Sequence, residues 1–154
     1  MEITSFGLTE IKYEEIKYVV LLAEYNDELV IIRNKNRITW ELPGGKRELN
    51  EPLLKAASRE LYEETGAVEF DLTPYGIYFM NGSYGMNFHA RIYEFVELPD
   101  YEIAEIKFCQ CLPNGLGYGD IFYRMYDGWN QLKGKHELTK YRMNINDLEE
   151  RYEF

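Results

Sequence analysis

Three glutamates lie in one short segment at spacings that bring them to the same side of a helix. Glu60, Glu63 and Glu64 stand at positions i, i+3 and i+4, so their carboxylates project from one helix face. Like charges at these spacings repel one another, and a solvated helix face normally mixes the two signs. Clustered carboxylate oxygens are ligands that Mg²⁺ or Mn²⁺ prefers. The pattern indicates a divalent-cation site, with an ordinary solvated acidic helix as the alternative.

Neighbouring residues extend this pattern on both sides. Arg59 precedes Glu63 by four residues and could hold one carboxylate by hydrogen bonds, which would offset part of the repulsion. Upstream, the segment Trp40-Glu41-Leu42-Pro43-Gly44-Gly45 ends in two glycines, where the chain must turn sharply or let a ligand approach its backbone. Cations that could contact phosphate, or that could simply be solvated, are Lys46, Arg47 and Arg37.

The helix that carries the glutamates is predicted over residues 51–65. Asn50 or Glu51 could cap it, and Pro52 suits a first turn, where a backbone N–H is not needed. Leu54, Ala57 and Leu61 recur at helical spacing and should form its buried stripe. Gly66 is expected to end the helix in a left-handed conformation.

The other predicted elements surround this helix in the order β-β-α-β-β-α. A second helix follows from the apolar stripe Phe122, Met125, Tyr126 and Trp129. Strands are expected over residues 16–25, 28–33, 73–80, 86–97 and 106–112, the second helix over 121–132, and a short third helix over 144–151. Turns are expected at 26–27 and 81–85. This order implies an α+β fold in which a mixed sheet is sandwiched between helices.

Size and charge limit the classes of function. A chain of 154 residues with 45% hydrophobic residues suits a single domain over residues 1–154. A net charge of −10 argues against binding duplex nucleic acid by phosphate neutralisation. A phosphorylated ligand would need local cations or metal ions. The sequence contains neither a long apolar run nor a leader pattern, so we expect no membrane association and a cytoplasmic location. A homodimer is left open.

The whole constellation resembles the Nudix box, GX5EX7REUXEEXGU with U aliphatic. Gly45, Glu51, Arg59, Glu60, Leu61, Glu63, Glu64, Gly66 and Ala67 stand at its specified positions. The resemblance to this family implies a Nudix fold and metal-dependent hydrolysis of a nucleoside diphosphate linked to another moiety. It also implies Mg²⁺ or Mn²⁺ as the cofactor. The metal ligands would be Glu60, Glu63, Glu64 and the Gly44 carbonyl, with Glu51 near the metals and Arg59 orienting the glutamates.

Members of this family often add a general base from a loop before a late strand. Glu105 fits that place best and Glu102 second, with two solvated loop carboxylates as the alternative. If neither acts, a glutamate of the box would be the base.

The short chain and the W-x-L-P-G-G segment look most like the MutT-type nucleoside triphosphate pyrophosphohydrolases. Such an enzyme would produce a monophosphate and pyrophosphate, and an oxidised purine of the 8-oxo-dGTP kind is one expected substrate. Asn81 and Tyr84 are candidate base contacts, although turn or core structure is the better-favoured interpretation of each. Other nucleoside diphosphate derivatives, dinucleoside polyphosphates, capped RNA ends and a non-catalytic nucleotide-binding regulator are the alternatives.

Overall fold

The computed structural model describes residues 2–134 and 138–148. Its strands are β1 Thr4–Phe6, β2 Ile16–Tyr25, β3 Glu28–Asn34, β4 Gly44–Lys46, β5 Ala67–Met80, β6 Ser83–Phe95, β7 Ile103–Cys109 and β8 Tyr141–Asn144. Its helices are α1 Leu53–Thr65 and α2 Ile121–Leu132, with 3-10 turns at Tyr13–Glu15 and Ile145–Asp147. No helix in the described ranges has the length and apolar character needed to cross a membrane.

The strands form one mixed sheet in the order β1-β5-β6-β2-β3-β7. The central pair, β2 and β6, is parallel, with Leu21 opposite Phe88, and the other pairings are antiparallel. The strand β2 pairs with two antiparallel strands, with β4 along its first half and with β3 at its end. This division places Gly44 and Gly45 beside the middle of the sheet.

Two tight turns connect neighbouring strands, and both follow from their residue types. Asn26 and Asp27 adopt φ values of 49° and 66°, and Asn81 and Gly82 adopt 53° and 77°. Asparagine, aspartate and glycine tolerate this left-handed region, and two such residues in succession match the twist of a hairpin. The second turn is therefore shorter than the predicted 81–85, and β6 begins at Ser83.

Apolar packing on both faces of the sheet produces the three-layer arrangement. On one face, Leu53, Leu54, Ala57 and Leu61 of α1 are buried against residues that include Phe70. On the other face, α2 buries Ile121, Phe122 and Met125 against strand residues that include Leu22, Leu29 and Ile31. The α+β sandwich predicted from the element order is confirmed.

Several predicted boundaries are wrong for local reasons. The helix α1 begins at Leu53, and its N-cap residue is Pro52, with no side-chain capping bond, so neither Asn50 nor Glu51 caps it. Gly66 ends α1 at φ 82° as expected, and β5 begins at once at Ala67 rather than at Thr73. The predicted helix over 144–151 is replaced at 144–147 by the end of β8 and a 3-10 turn, and residues 149–151 lie outside the described residues.

Candidate active site

The helix α1 presents its polar face to the loop and strand that precede it. With Leu54, Ala57 and Leu61 buried, Arg59, Glu60, Glu63 and Glu64 remain on the other faces of the helix. The strand β4 approaches this surface so closely that a Cβ atom added to Gly45 would overlap the carboxylate of Glu60. Glycine at this position is therefore a packing requirement of the glutamate cluster.

Arg59 organises the carboxylates around it. Its Nε and Nη2 atoms donate to the two oxygens of Glu51, at 2.7 and 2.9 Å. Its Nη1 atom donates to Glu60 at 2.9 Å and to Glu63 at 3.2 Å. A planar guanidinium fork can satisfy several carboxylates from one position, so this residue offsets the repulsion among them.

Burial favours the protonated form of two of the glutamates, Glu64 and Glu60. Burial raises the pKa of Glu64 to about 9, against the hydrogen bond that its Oε1 accepts from the Gly44 N–H at 2.7 Å. The charges of Glu60, Glu41 and Glu102 raise that pKa further. Burial also raises the pKa of Glu60 to about 7, although Arg59 acts in the opposite direction. Such buried carboxylates are stabilised as anions when a cation approaches.

Two adjoining cavities open at this cluster. The larger has a volume of about 450 Å³ and extends from Glu60, Glu64 and Lys46 to an aromatic end formed by Tyr118 and Phe122. The smaller, of about 200 Å³, is lined by Glu60, Glu63, Glu64, Tyr101, Glu102 and Ile103. Glu60, Glu64 and Glu102 line both cavities. The arrangement offers carboxylates at one end of a cleft and an apolar surface at the other.

The chemistry of the donors suits hard divalent cations, because all of them are carboxylate oxygens. Among the described residues, no three His, Cys, Asp or Glu side chains are already gathered as a metal-binding group. The reason is visible in the hydrogen bonds, since Arg59 holds Glu60 and Glu63 while the Gly44 N–H holds Glu64. A cation would bind by drawing these carboxylates together around it.

The two candidates for a general base lie in different surroundings. Glu105 lies within β7 opposite Arg33, pairs with its guanidinium at 2.8 Å and is 56% exposed. It lines neither cavity. Glu102 lines both, and its carbonyl accepts the Lys35 N–H at 2.7 Å, which ties its loop to the end of β3. The geometry therefore favours Glu102, the second choice of the sequence analysis.

The three cations predicted to contact phosphate lie in different surroundings. Lys46 lines the larger cavity. Arg47 donates to the carbonyls of Glu51, Tyr13 and Ile16, so its guanidinium joins the segment before α1 to the start of β2 rather than facing a phosphate. Arg37 lines the larger cavity and pairs with Glu41 at 2.7 Å.

The two predicted base contacts differ in the same way. Asn81 lines the larger cavity from the β5–β6 turn. Tyr84 does not line it, because its ring packs against Phe6 and Phe79, with centroids 5.9 and 4.7 Å away. We therefore do not assign Tyr84 to a substrate.

Sequence reasoning missed three residues that line the larger cavity: Glu41, Tyr118 and Phe122. Phe122 was expected only as part of the apolar stripe of α2. A signal was available for Tyr118, which stands between Gly117 and Gly119 and adopts a φ of 64°. A bulky residue in the left-handed region is uncommon and often marks a functional site.

Comparison with known proteins agrees with this description. Residues 15–110 match the NUDIX domain family, which is more than half of the chain. The fold resembles the crystal structure of a mutant of the Bacillus subtilis pyrophosphohydrolase BsRppH, with a TM-score of 0.73 and 19% identity over 87% of this chain and 93% of that one. A NUDIX hydrolase from Nitrosomonas europaea aligns with a TM-score of 0.62 and 19% identity over 87% of this chain and 96% of that one.

A shorter match exists to a protein of Bacillus subtilis (strain 168) whose name assigns it provisionally to the 8-oxo-dGTP diphosphatases. It is 35% identical over 54 residues, which are 35% of this chain and 36% of that protein. The matched segment thus spans about a third of the relative's length. The chain belongs to the Nudix family. This class acts on nucleotide substrates and generally uses divalent metal ions.

Proposed function

We propose that this protein is a Mg²⁺- or Mn²⁺-dependent pyrophosphohydrolase that converts a nucleoside triphosphate to the monophosphate and pyrophosphate. The proposal rests on one observation. Glu60, Glu64 and Glu102 line the same cleft, and the other end of this cleft is aromatic. A cleft of this form can hold phosphates at the carboxylates, through cations, and a base at the aromatic end. An oxidised purine of the 8-oxo-dGTP kind is the proposed base, supported by the provisional name of the Bacillus subtilis relative.

The proposed metal ligands are Glu60, Glu63 and Glu64, together with the Gly44 carbonyl, and Glu51 lies close by through Arg59. Bound cations would neutralise the pyrophosphate charge and lower the pKa of an attacking water. The glutamates must be unprotonated to bind them, so Glu60 and Glu64 release protons on loading. Arg59 holds Glu60 and Glu63 in position until then.

Glu102 is the proposed general base and Lys46 a proposed phosphate contact. Both line the cleft that contains Glu60 and Glu64. The carboxylate of Glu102 would accept a proton from the attacking water while its backbone stays tied to Lys35. Lys46 would place a compact positive charge beside the phosphates.

Turnover of a panel of nucleotides with Mg²⁺ tests the proposal. The panel contains normal and 8-oxidised nucleoside triphosphates, nucleoside diphosphate sugars, a dinucleoside polyphosphate and capped RNA. We expect a nucleoside triphosphate to give the monophosphate and pyrophosphate, with a chelator abolishing the reaction. Orthophosphate as the first product would contradict this reaction, and preferred cleavage of another member would replace the substrate class. Reaction in ¹⁸O-labelled water then identifies the attacked phosphorus, α or β.

Two glutamate variants separate the proposed roles. Glu63→Gln should lower kcat by at least about 100-fold, because it removes a charged ligand. Glu102→Gln should lower kcat by about 10²–10⁴-fold and flatten the acid limb of the pH–rate profile. The matched control is Glu105→Gln, which alters an exposed carboxylate of the same segment that lines neither cavity. A loss of rate in Glu105→Gln with none in Glu102→Gln would reverse the assignment.

A further inference from the structure

The strand β7 forms one edge of the sheet. It pairs with β3 on its inner side, and no other segment in the described ranges pairs with its outer side. Glu105, Lys107 and Phe108 are exposed on this strand, and Ile106 is half-buried. An uncovered edge presents backbone N–H and C=O groups that can pair with another strand.

The hydrogen bonds of β3 identify which groups of β7 point outward. The Ile32 N–H donates to the Glu41 carbonyl at 2.9 Å, and the Ile32 carbonyl accepts the Glu41 N–H at 2.8 Å. Both polar groups of Ile32 therefore point away from β7, so Ile32 and its partner Ile106 form a non-hydrogen-bonded pair. Because the direction of these groups alternates along a strand, Ile106 directs its N–H and C=O outward, whereas Glu105 and Lys107 direct theirs to β3.

The outward groups fit a second copy of the same strand. When two identical strands pair antiparallel about a two-fold axis, one residue lies opposite itself and the residues on either side of it exchange partners. With the axis at Ile106, the two Ile106 residues exchange N–H···O bonds, and Glu105 of each copy lies opposite Lys107 of the other. These flanking positions are non-hydrogen-bonded pairs, in which the Cα atoms are only about 4.5 Å apart and the side chains are closest.

Charge distinguishes this register from the adjacent ones. An axis at Lys107 would put two ammonium groups directly opposite each other, and an axis at Glu105 would do the same with two carboxylates. The axis at Ile106 instead gives two pairs of opposite charge. Both side chains are on one face of the sheet, where Glu105 pairs with Arg33 at 2.8 Å and Lys107 Nζ lies 5.5 Å from the centre of the Trp40 ring.

The opposite face of β7 adds apolar area. Phe108 is 39% exposed, and its ring lies against those of Tyr25 and Phe95, with both centroids 6.0 Å away. In the pair centred on Ile106, Phe108 of each copy comes opposite Ala104 of the other, so a large side chain meets a small one. The pairing is short, because the register of β3 with β7 skips Ala104 and the strand is irregular from there.

We propose that β7 is a self-association edge, through which two copies of this chain join their sheets antiparallel around Ile106. Two pairs of Glu105 with Lys107 fix the register, and backbone hydrogen bonds across the axis hold the strands together. Two short strands cover less surface than the roughly 800 Å² per partner that a stable dimer buries. We therefore expect a reversible dimer with a Kd of about 10–100 µM.

Sedimentation equilibrium of the full chain measures this association independently of nucleotide turnover, since Glu105, Ile106 and Lys107 line neither cavity. A salt concentration of about 0.15 M reduces the repulsion between copies that each carry a net charge of −10, and it screens charges in contact much less. We expect the average mass to rise from monomer toward dimer between about 5 and 500 µM protein. A monomer over this whole range would overturn the proposal and leave the charges as ordinary protection of a sheet edge.

A charge-swap cycle tests the register. Glu105→Lys and Lys107→Glu each place like charges opposite one another twice, so each should weaken dimerisation by at least about 10-fold. The double variant restores opposite charges and should return the Kd to within about 3-fold of the wild-type value. The matched control is Glu15→Lys, which makes the same change of net charge at an exposed residue of the 3-10 turn before β2. Dimerisation that survives both single reversals, or that the double variant does not recover, would overturn the assigned register.

Ile106→Pro tests the direction of the backbone groups. Proline removes an N–H that points outward, so β7 should keep its hydrogen bonds to β3 and lose those across the axis. We expect a folded monomer, with folding checked by thermal unfolding. A variant that dimerises as the wild-type protein does would refute the role of β7. If Ile106→Pro does not fold, the charge-swap cycle decides the question.

Discussion

Arg59 and Glu51 are joined by two parallel hydrogen bonds, Nε to Oε2 at 2.7 Å and Nη2 to Oε1 at 2.9 Å. The carboxylate of Glu51 is only 7% exposed. Burial alone would raise its pKa, yet the Arg59 guanidinium and the Glu48 N–H hold that pKa below its ordinary value. The pair fixes the position of the guanidinium, which also donates hydrogen bonds to Glu60 and Glu63.

Breaking this pair should cost stability. Glu51→Gln removes the charge from a buried bidentate partner, and we expect the free energy of unfolding to fall by about 1–3 kcal/mol in urea titrations. The matched control is Glu48→Gln, whose carboxylate is 65% exposed and lies 3.4 Å from the same Nε. That variant should stay within about 0.5 kcal/mol of the wild-type protein. Equal losses in both variants would show that burial does not distinguish the two contacts.

The two glycines before Lys46 should be needed for different properties, Gly44 for stability and Gly45 for Mg²⁺ binding. A Cβ atom at Gly44 would meet the Val19 carbonyl oxygen at 2.5 Å, whereas at Gly45 it would meet the side chain of Glu60. Backbone cannot yield as a side chain can, so Gly44→Ala should lower the melting temperature substantially. Gly45→Ala should keep most of the stability and lose Mg²⁺ affinity. Thermal unfolding and metal titration of both variants check this contrast, which fails if Gly45→Ala binds Mg²⁺ normally.

Metal binding should release protons. Burial raises the pKa of Glu64 to about 9 and that of Glu60 to about 7, so both carboxyls keep protons near neutral pH more readily than a free glutamate does. Mg²⁺ requires both as anions, so we expect roughly one to two protons released per site at pH 7 and an affinity that rises with pH until Glu64 is ionised.

Calorimetry in two buffers with different ionisation enthalpies measures this number. Glu64→Gln should release about one proton fewer, because its amide binds no proton at this pH. A Mg²⁺ affinity that does not change between pH 6 and 9, measured at constant ionic strength, would contradict the prediction.

A second pH effect concerns the opposite face of the sheet. The His89 Nε2 atom lies 2.7 Å from Glu24 Oε2, and the His89 ring stacks on Trp129 with centroids 4.1 Å apart. The hydrogen bond with His89 lowers the pKa of Glu24, and the charges of His89, Lys133 and Arg91 act in the same direction. A carboxylate whose pKa is lower in the folded than in the unfolded protein stabilises the fold at pH values above its unfolded pKa. This stabilisation is lost as the pH falls through its folded pKa.

Glu24→Gln should therefore lower the free energy of unfolding by about 1 kcal/mol at pH 7, with a smaller difference at pH 3, below the ordinary pKa of the carboxyl. Urea unfolding of both proteins at the two pH values provides the measurement. A difference of the same size at pH 3 would assign the effect to the shape of the side chain instead of its charge.

The helix α2 contains a position that can be improved. Gly128 lies within the helix, has no positive φ and would meet nothing within 4 Å if it carried a Cβ atom. Alanine loses less backbone entropy than glycine in a helix, so Gly128→Ala should raise the free energy of unfolding by about 0.5–1 kcal/mol. Thermal unfolding checks the sign, and a lower melting temperature would contradict the open surroundings of this site.

Elements with their own periodic signal could be predicted from the sequence. The stripe of Leu54, Ala57 and Leu61 and the stop at Gly66 define α1, and Asn26-Asp27 defines a hairpin. The strands β1, β4 and β8 have three or four residues each and contain no such signal. They are strands because β5 and β2 pair with them, and this pairing depends on the whole sheet.

The same distinction applies to the site. Glu60, Glu63 and Glu64 come from one helix, so their spacing alone brings them together in the sequence analysis. Glu41 and Tyr118 come from segments that only the fold places side by side. The choice between Glu102 and Glu105 depended on strand register, because the pairing of β3 with β7 puts Glu105 opposite Arg33. Register is a tertiary property that no local pattern revealed.

The parallel pairing of β2 with β6 has a consequence for how the chain acquires activity. All residues from 26 to 82 lie between these strands, so the chain must close a long crossover before the middle of the sheet can form. Contacts of such high sequence separation form slowly, because the closure entropy precedes the stabilising contacts. The helix α1 lies inside that crossover, and Glu102 follows β6. During synthesis, a nascent chain that has emerged only to the end of α1 therefore contains every glutamate of the box, but it lacks β6 and the Glu102 segment that stand beside them in the folded protein.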